Sequence, residues 1–276
     1  MPAAYAHYRF GQDVLAQAPI AVRSIIDSRK SFYDLGLQGP DLLFYYKPLR
    51  GNVVGRLGSL MHEQRALSFF RPAGELLRRS PTPELAAYIY GFICHFALDL
   101  HCHGYISRVI DQGGPGHNEQ ETDFDRVLLR KDGLEIRPGI RVRHIMPSME
   151  IARTIAPLFP GLTALKLYRS MLALKFFDSF LGVSGRFSYG MVLSVLKLSG
   201  QYDKLRGMLL NSPPAPGCDS SSRDLTELYL QAQDTALRLM SDFKDSAWSR
   251  MNYDLLYEYN FDSCLAASDK ENKHEF

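Results

Sequence analysis

Cysteine is scarce in this chain, and tryptophan occurs once. The four cysteines, Cys94, Cys102, Cys218 and Cys264, form no CxxC pair and are too few for a disulfide scaffold in 276 residues. They read as small buried thiols in a reducing compartment. An excess of charge of one sign is also missing. The 32 Lys+Arg against 30 Asp+Glu leave a net charge of +2, which argues against a dedicated nucleic-acid surface and leaves only a local basic patch open. No stretch reaches the about 18 uninterrupted apolar residues of a membrane-spanning helix. The closest, 157–198, is broken by Lys166, Arg169, Lys175, Asp178 and Arg186. The opening "MPAAYAHYRFGQDV" lacks the basic region and apolar core of a secretory signal. These absences predict a cytoplasmic protein. Strand signals are few, and there is no internal repeat.

What the chain does have is helical periodicity and enough apolar content for a sizeable core, with 46% hydrophobic and 22% charged residues. Tyr5 to Gln17 and Pro19 to Ser28 read as the first two helices. Asp41, after the Gly-Pro turn of "GLQGPDLLFYY", reads as lying at or near a helix start, where Asp commonly caps exposed N–H groups. Residues 53–79 read as one or two helices, with Pro72 starting the second. Thr82 as N-cap, Pro83 at the first helical position and Glu84 in the first turn open a helix with no breaker until "DQGGPG", so it should run to about Ile110. A further helix is predicted from about His117 to just before Gly133, then an irregular 134–144. Two to four apolar helices should follow between 147 and 210. "NSPPAPGCDSSS" reads as a linker, Arg223 to Phe243 as an amphipathic helix and "SDKENKHEF" as a disordered tail. The fold class is all-α, a multi-helix bundle with additional C-terminal helices. The expected organisation is a metal-binding domain over 1–146, helices over 147–267 packed on it as one globule, and the tail at 268–276.

Four of the eight histidines fall in "CHFALDLHCHGYISRVIDQGGPGHNEQE", residues 94 to 121. His95, Asp99 and His103 are spaced i, i+4, i+8 and so lie within about 80° of one another on one helix face. His117 and Glu121 repeat the i, i+4 spacing on the next helix, beyond a turn short enough to fold it back. Three imidazoles and two carboxylates are thereby aimed at one volume, and these are ligand types that zinc takes. His101 is rotated away. The surrounding positions Tyr88, Phe92, Phe96 and Ile106 are apolar, and unpaired carboxylates among them would cost several kcal/mol. The competing reading is a helix pair whose polar residues are satisfied by hydrogen bonds.

HxxxDxxxH followed by HxxxE, with thirteen residues between His103 and His117, resembles the zinc-dependent phospholipase C family. "YAHYRFG", "GLQGPDLLFYY" and "MH" are similar to that family's earlier histidine, aspartate and histidine. The resemblance covers roughly residues 1–125 and implies a trinuclear zinc site in an all-helical domain. By position, one zinc takes Asp41, His62, His95 and Asp99, and a second takes His103, His117 and Glu121. A third takes His7, a bridging Asp99 and the mature N-terminal residue. This chain departs from the secreted members, which expose a processed N-terminal residue. Its interval between Asp41 and His62 is longer, and that between Asp99 and His103 is two residues shorter. The secreted enzymes hold a trimethylammonium head on aromatic rings, one immediately after the aspartate, where this chain has Leu42. Phe44, Tyr45, Tyr46, Phe69 and Phe70 are nearby aromatics that serve either as such contacts or as core.

The resemblance implies a metal-dependent hydrolase of phosphate esters with two or three zinc ions, Asp41 as ligand and base, and a phospholipid or similar phosphodiester as substrate. Peripheral membrane contact fits such a substrate. Asp123 and Asp125 read either as partners orienting imidazole N–H groups or as solvated helix residues. One rival is a zinc-dependent nuclease or nucleotidase. Those enzymes usually close with HxxxD, so His117-x3-Glu121 favours the lipase, and the charge of +2 gives no support to specific nucleic-acid binding. The other rival is a non-catalytic lipid- or partner-binding helical protein with structural zinc, in which the metal would lack an open coordination position.

Overall fold

A computed structural model describes residues 3–182, 186–210, 216–245 and 253–265. Among these residues there are twelve α-helices and no strand: α1 Ala4–Gln17, α2 Ile20–Ser28, α3 Lys30–Gly36, α4 Val53–Glu63, α5 Leu67–Arg79, α6 Pro83–Asp111, α7 His117–Lys131, α8 Met149–Ile155, α9 Ala164–Leu181, α10 Arg186–Leu198, α11 Tyr202–Leu205 and α12 Cys218–Asp245. Gly39–Tyr45 forms a short 3-10 helix between α3 and α4. The fold is all-α.

The central element is α6. Thr82 caps it by accepting the Leu85 N–H, and Pro83 occupies its first position, where the missing N–H costs no helix bond. By length and composition α6 could cross a membrane, but 89% of its most apolar window is buried inside the molecule. It is apolar nearly all round because α1, α2, α3, α8 and α12 all pack against it. Tyr88, Phe92 and Phe96 are completely buried, each contributing about 1.5–3 kcal/mol. The approach of α3 is set by two glycines. A Cβ on Gly36 would lie 2.2 Å from the Tyr88 carbonyl, and one on Gly91 would lie 2.2 Å from the Tyr33 carbonyl. No larger residue allows the two backbones this close.

One main hydrophobic core runs from Ala3 to Phe261, and a smaller cluster joins Leu181, Val192, Leu196, Leu205, Met208 and Leu209. Residues 259–261 dock along the α4–α5 junction: Ala66 N–H donates to the Tyr259 carbonyl at 2.9 Å, and Phe261 N–H donates to the His62 carbonyl at 3.1 Å.

Asp41 sits in the first turn of the 3-10 helix, near a helix start as expected, with its carboxylate turned to His62. Other local expectations are corrected. Pro72 lies inside α5, which begins at Leu67, because the docked C-terminal segment anchors the residue before it. Helix α12 begins at Cys218, five residues earlier than expected. Ser221 and Ser222 make it helical there by donating to Gln120 and Asp123 on α7. Cys94, Cys102 and Cys218 are buried free thiols, whereas Cys264 is exposed. The tail expected at 268–276 lies outside the described residues.

Candidate metal centre

Helix α6 presents His95, Asp99 and His103 on one face, as the i, i+4 spacing dictates. His95 Nε2 lies 2.9 Å from one Asp99 oxygen, and His103 Nε2 lies 3.3 Å from the other. Three further elements converge on this row. From α1, His7 Nε2 stands 3.2 Å from Asp99, with its ring stacked 4.1 Å above that of His95. Asp41 on the 3-10 helix and His62 at the end of α4 meet at 3.3 Å, and His62 Nε2 is 3.9 Å from Asp99. On α7, Glu121 lies 3.3 Å from His117 and 3.6 Å from His103. The structure thus brings all eight predicted residues together, in three groups whose ligand atoms fall within 4.8 Å of one another: His7, His95 and Asp99; Asp41, His62 and His95; His103, His117 and Glu121. His95 belongs to two of them. His101 points away, to Thr235. The N-terminal residue, the remaining donor that the resemblance implied, lies outside the described residues.

The donor set fits divalent ions. On a tetrahedral zinc with bonds near 2.0–2.1 Å, neighbouring donors sit roughly 3.3 Å apart. The pairs His7–Asp99, Asp41–His62, His103–Asp99, His117–Glu121 and His103–Glu121 span 3.2 to 3.6 Å. His95–Asp99 is closer, at 2.9 Å, and His62–Asp99 wider, at 3.9 Å. His95 Nε2 and Asp99 Oδ2 are buried and face each other at 2.9 Å, yet neither has a hydrogen-bond partner, because with the proton on Nδ1 both atoms are acceptors. Left so, each would carry a desolvation penalty that a bound cation removes.

The orientation of the rings is built in. His62 Nδ1 contacts the Gly58 carbonyl at 2.8 Å and His95 Nδ1 the Leu37 carbonyl at 3.1 Å. A carbonyl only accepts, so each Nδ1 carries the proton and each Nε2 presents a lone pair to the cluster. His103 Nδ1 faces the Asp262 carboxylate at 3.2 Å. Burial alone would push the carboxyls up, but His103, His95 and His7 hold Asp99 well below the usual carboxylate range, and imidazoles contribute to the lowering of Asp41 and Glu121. Burial would lower His103, yet Asp99, Asp262 and Glu121 raise it well above an ordinary imidazole. The site is a set of ionised carboxylates among imidazoles in a largely dry volume.

A family model described as zinc dependent phospholipase C matches residues 6–166. The chain belongs to this family. Neither the curated proteins nor the solved structures compared with it yield a match. Membership supports zinc as the metal of the family's site, for which these clusters are candidates, and makes the chain a zinc-dependent phospholipase C-like hydrolase with lipid as the implied substrate class.

Two residues of this phospholipase C-like site had no signal in the sequence. Asp262 and Phe261 arrive from a segment about 150 residues beyond the end of α6 at Asp111, with no spacing that ties them to it. The Phe261 ring packs 5.2 Å from His62 and 6.0 Å from His95 and forms an apolar wall behind the cluster. Asp123 and Asp125, in contrast, do not orient imidazoles. Asp123 pairs with Arg126 and accepts from Ser222. Asp125 accepts the Ala6 N–H at 2.8 Å, one residue before His7, and lies 3.8 Å from Arg141, which also pairs with Asp178. Of the aromatics considered for a choline contact, Phe69, Phe70 and Tyr45 are core. Phe44 is half-buried and stacks 5.5 Å from His62. The cluster reaches solvent mainly at His117, whose side chain is 37% exposed, and at Asp41 and His62.

Proposed function

We propose that this chain is a zinc-dependent phosphodiesterase of phospholipase C type. It holds two or three zinc ions on His7, Asp41, His62, His95, Asp99, His103, His117 and Glu121, and it cuts a phospholipid or similar phosphodiester on the glycerol side of the phosphate. The observation that carries this reading is the three-group cluster, in which a buried imidazole nitrogen, His95 Nε2, and a buried carboxylate oxygen, Asp99 Oδ2, face each other at 2.9 Å with no hydrogen-bond partner. Zinc bound there supplies Lewis acidity toward the phosphoryl oxygens and toward the attacking water. Asp99 and Glu121 provide the negative charge that balances the ions. Asp41, at the rim and only partly buried, orients the water and accepts its proton. His62 and His95 keep their lone pairs aimed inward through the Gly58 and Leu37 carbonyls, and Asp262 holds His103 in place. Phe261 and the apolar face of α6 exclude bulk water, which strengthens every charge interaction inside. Residues 1–146 contain all eight ligands, and we read the chain as one globule in which the helices of 147–267 pack on them. Leu49 and Val53 are exposed apolar residues just before and at the start of α4 and suit peripheral contact with a lipid surface.

The test couples metal analysis of the wild type, His95→Ala and His117→Ala to turnover of bis-p-nitrophenyl phosphate and p-nitrophenylphosphorylcholine. The expected result is zinc in the wild type, loss of metal in both variants, and a fall in turnover of about 100-fold or more. Zinc without turnover of any ester would leave a structural metal site. Cleavage of single-stranded nucleic acid with no lipid analogue hydrolysed would make the protein a nuclease.

A further inference from the structure

Beside the open side of the cluster lies a cavity of about 420 Å³ whose walls include Phe44, Arg50, Asn52, Arg56, Ser59 and Asn118. Two of these tie it to the metal centre: Phe44 stacks on His62, and Asn118 follows His117 directly on α7. No acidic residue lines it. A second cavity shares Arg50 and Asn52 with the first and adds Lys47 and Arg169, again with no acid. Among the described residues no carboxylate pairs with Arg50 or Arg56, and both are exposed.

The loop that carries Arg50 is held firmly. Asn52 caps α4 by accepting the Val54 and Gly55 N–H groups, both at 3.0 Å. Its amide donates back to the Tyr46 carbonyl at 2.8 Å and to the Arg50 carbonyl at 3.0 Å. Arg56 stands on α4, the helix that supplies His62. The backbone positions that carry the two arginines are therefore set relative to α4, the helix that ends at His62.

A trimethylammonium head placed here would meet like charge from two arginines with no carboxylate to offset it. An anionic group would meet two planar donors suited to phosphate or carboxylate. We infer that the head group of this chain's substrate carries a second negative charge, a phosphate or carboxylate, which Arg50 and Arg56 recognise in the cavity between Phe44 and Asn118. This inference rests on the reading of the neighbouring cluster as a phosphodiesterase site, and it assigns that site its substrate class.

The experiment has two arms, both on zinc-loaded protein. In the first, phosphorylcholine and inositol 1,4-bisphosphate are titrated calorimetrically onto the wild type and onto the Arg50→Ala/Arg56→Ala double variant. Each ligand offers one phosphate to the metals; only the bisphosphate carries a second anion. The wild type should bind the bisphosphate at least about tenfold tighter, the fold-change of one charge-assisted contact. The double variant should bring the two within about twofold, and Arg50→Lys/Arg56→Lys should retain most of the preference. In the second arm, phosphatidylinositol 4-phosphate and phosphatidylcholine in neutral detergent micelles, and their deacylated soluble counterparts, are compared by kcat/KM. The micellar set identifies a lipid head group and the soluble set a free phosphodiester. Equal or tighter binding of phosphorylcholine by the wild type, or a preference that survives in the alanine double variant, would overturn the inference. If zinc is bound but no ester is cleaved, the phosphodiesterase reading fails, while the titration still decides the anion site.

Discussion

Gly39 sits at φ +50° directly against the imidazole of His95, and Gly39→Ala tests how the central ligand is held. The added Cβ would lie 2.2 Å from His95 Cδ2, 2.4 Å from Cγ and 2.6 Å from Nε2. The ring cannot swing aside, because it is fully buried, tied by Nδ1 to the Leu37 carbonyl and stacked on His7. Relieving the overlap requires a shift of roughly 1 Å to reach ordinary contact. A non-glycine residue at positive φ costs about 1 kcal/mol. Overpacking a buried site adds about 1–3 kcal/mol, so the expected destabilisation is about 2–4 kcal/mol. The shift also moves Nε2 out of both groups it shares, and at least one zinc should be lost. Urea unfolding measures the first effect and zinc per chain the second. Gly133→Ala is the control: its φ is +68° but nothing lies within 4 Å of a Cβ there. It should lose only about 1 kcal/mol and keep its metal. A Gly39→Ala protein with full zinc and stability within about 0.5 kcal/mol of the wild type would refute the argument that this backbone contact positions His95.

Asp262→Asn should leave the fold intact and weaken zinc binding by about 10–100-fold, as loss of a partner to a ligating imidazole does; a competition assay with a zinc chelator reads this, and an unchanged affinity would dismiss the contact. Chelating the zinc should lower the Tm. Ions held about 1,000-fold above their Kd contribute about 4 kcal/mol, or roughly 8–16 °C for a chain of this size, and a calorimetric scan with and without EDTA checks it. Burial pushes the Asp125 carboxyl up to about 8, although Arg141 and the Ala6 N–H oppose the rise. The folded state then keeps a proton that the unfolded state has lost. Wild-type stability relative to Asp125→Asn should therefore fall as pH rises from about 4 to about 8 and level off above. Denaturant midpoints across that window would show a flat or rising difference if the assignment were mistaken.

The parts of the centre that were legible in the sequence are local. HxxxDxxxH and HxxxE are statements about one helix each, and a 3.6-residue period fixes which side chains share a face whatever surrounds the helix. The boundaries of α6 and α7 follow from Thr82, Pro83 and the Gly-rich turn for the same reason. Pro72 and the start of α12 were misplaced because contacts from Tyr259 and from Gln120 and Asp123 decided them, and local propensity is weak beside such contacts.

By itself, then, the chain determined an all-α fold, the ordered series of histidines and carboxylates, and through them the zinc-dependent family. Tertiary structure alone decided that His95 belongs to two groups at once, that Asp262 and Phe261 return from the far end to brace His103 and His62, and that Arg50 and Arg56 share a cavity with Phe44 and Asn118. Those relations join residues far apart in the chain, and long-range packing, which no local spacing encodes, sets their distances.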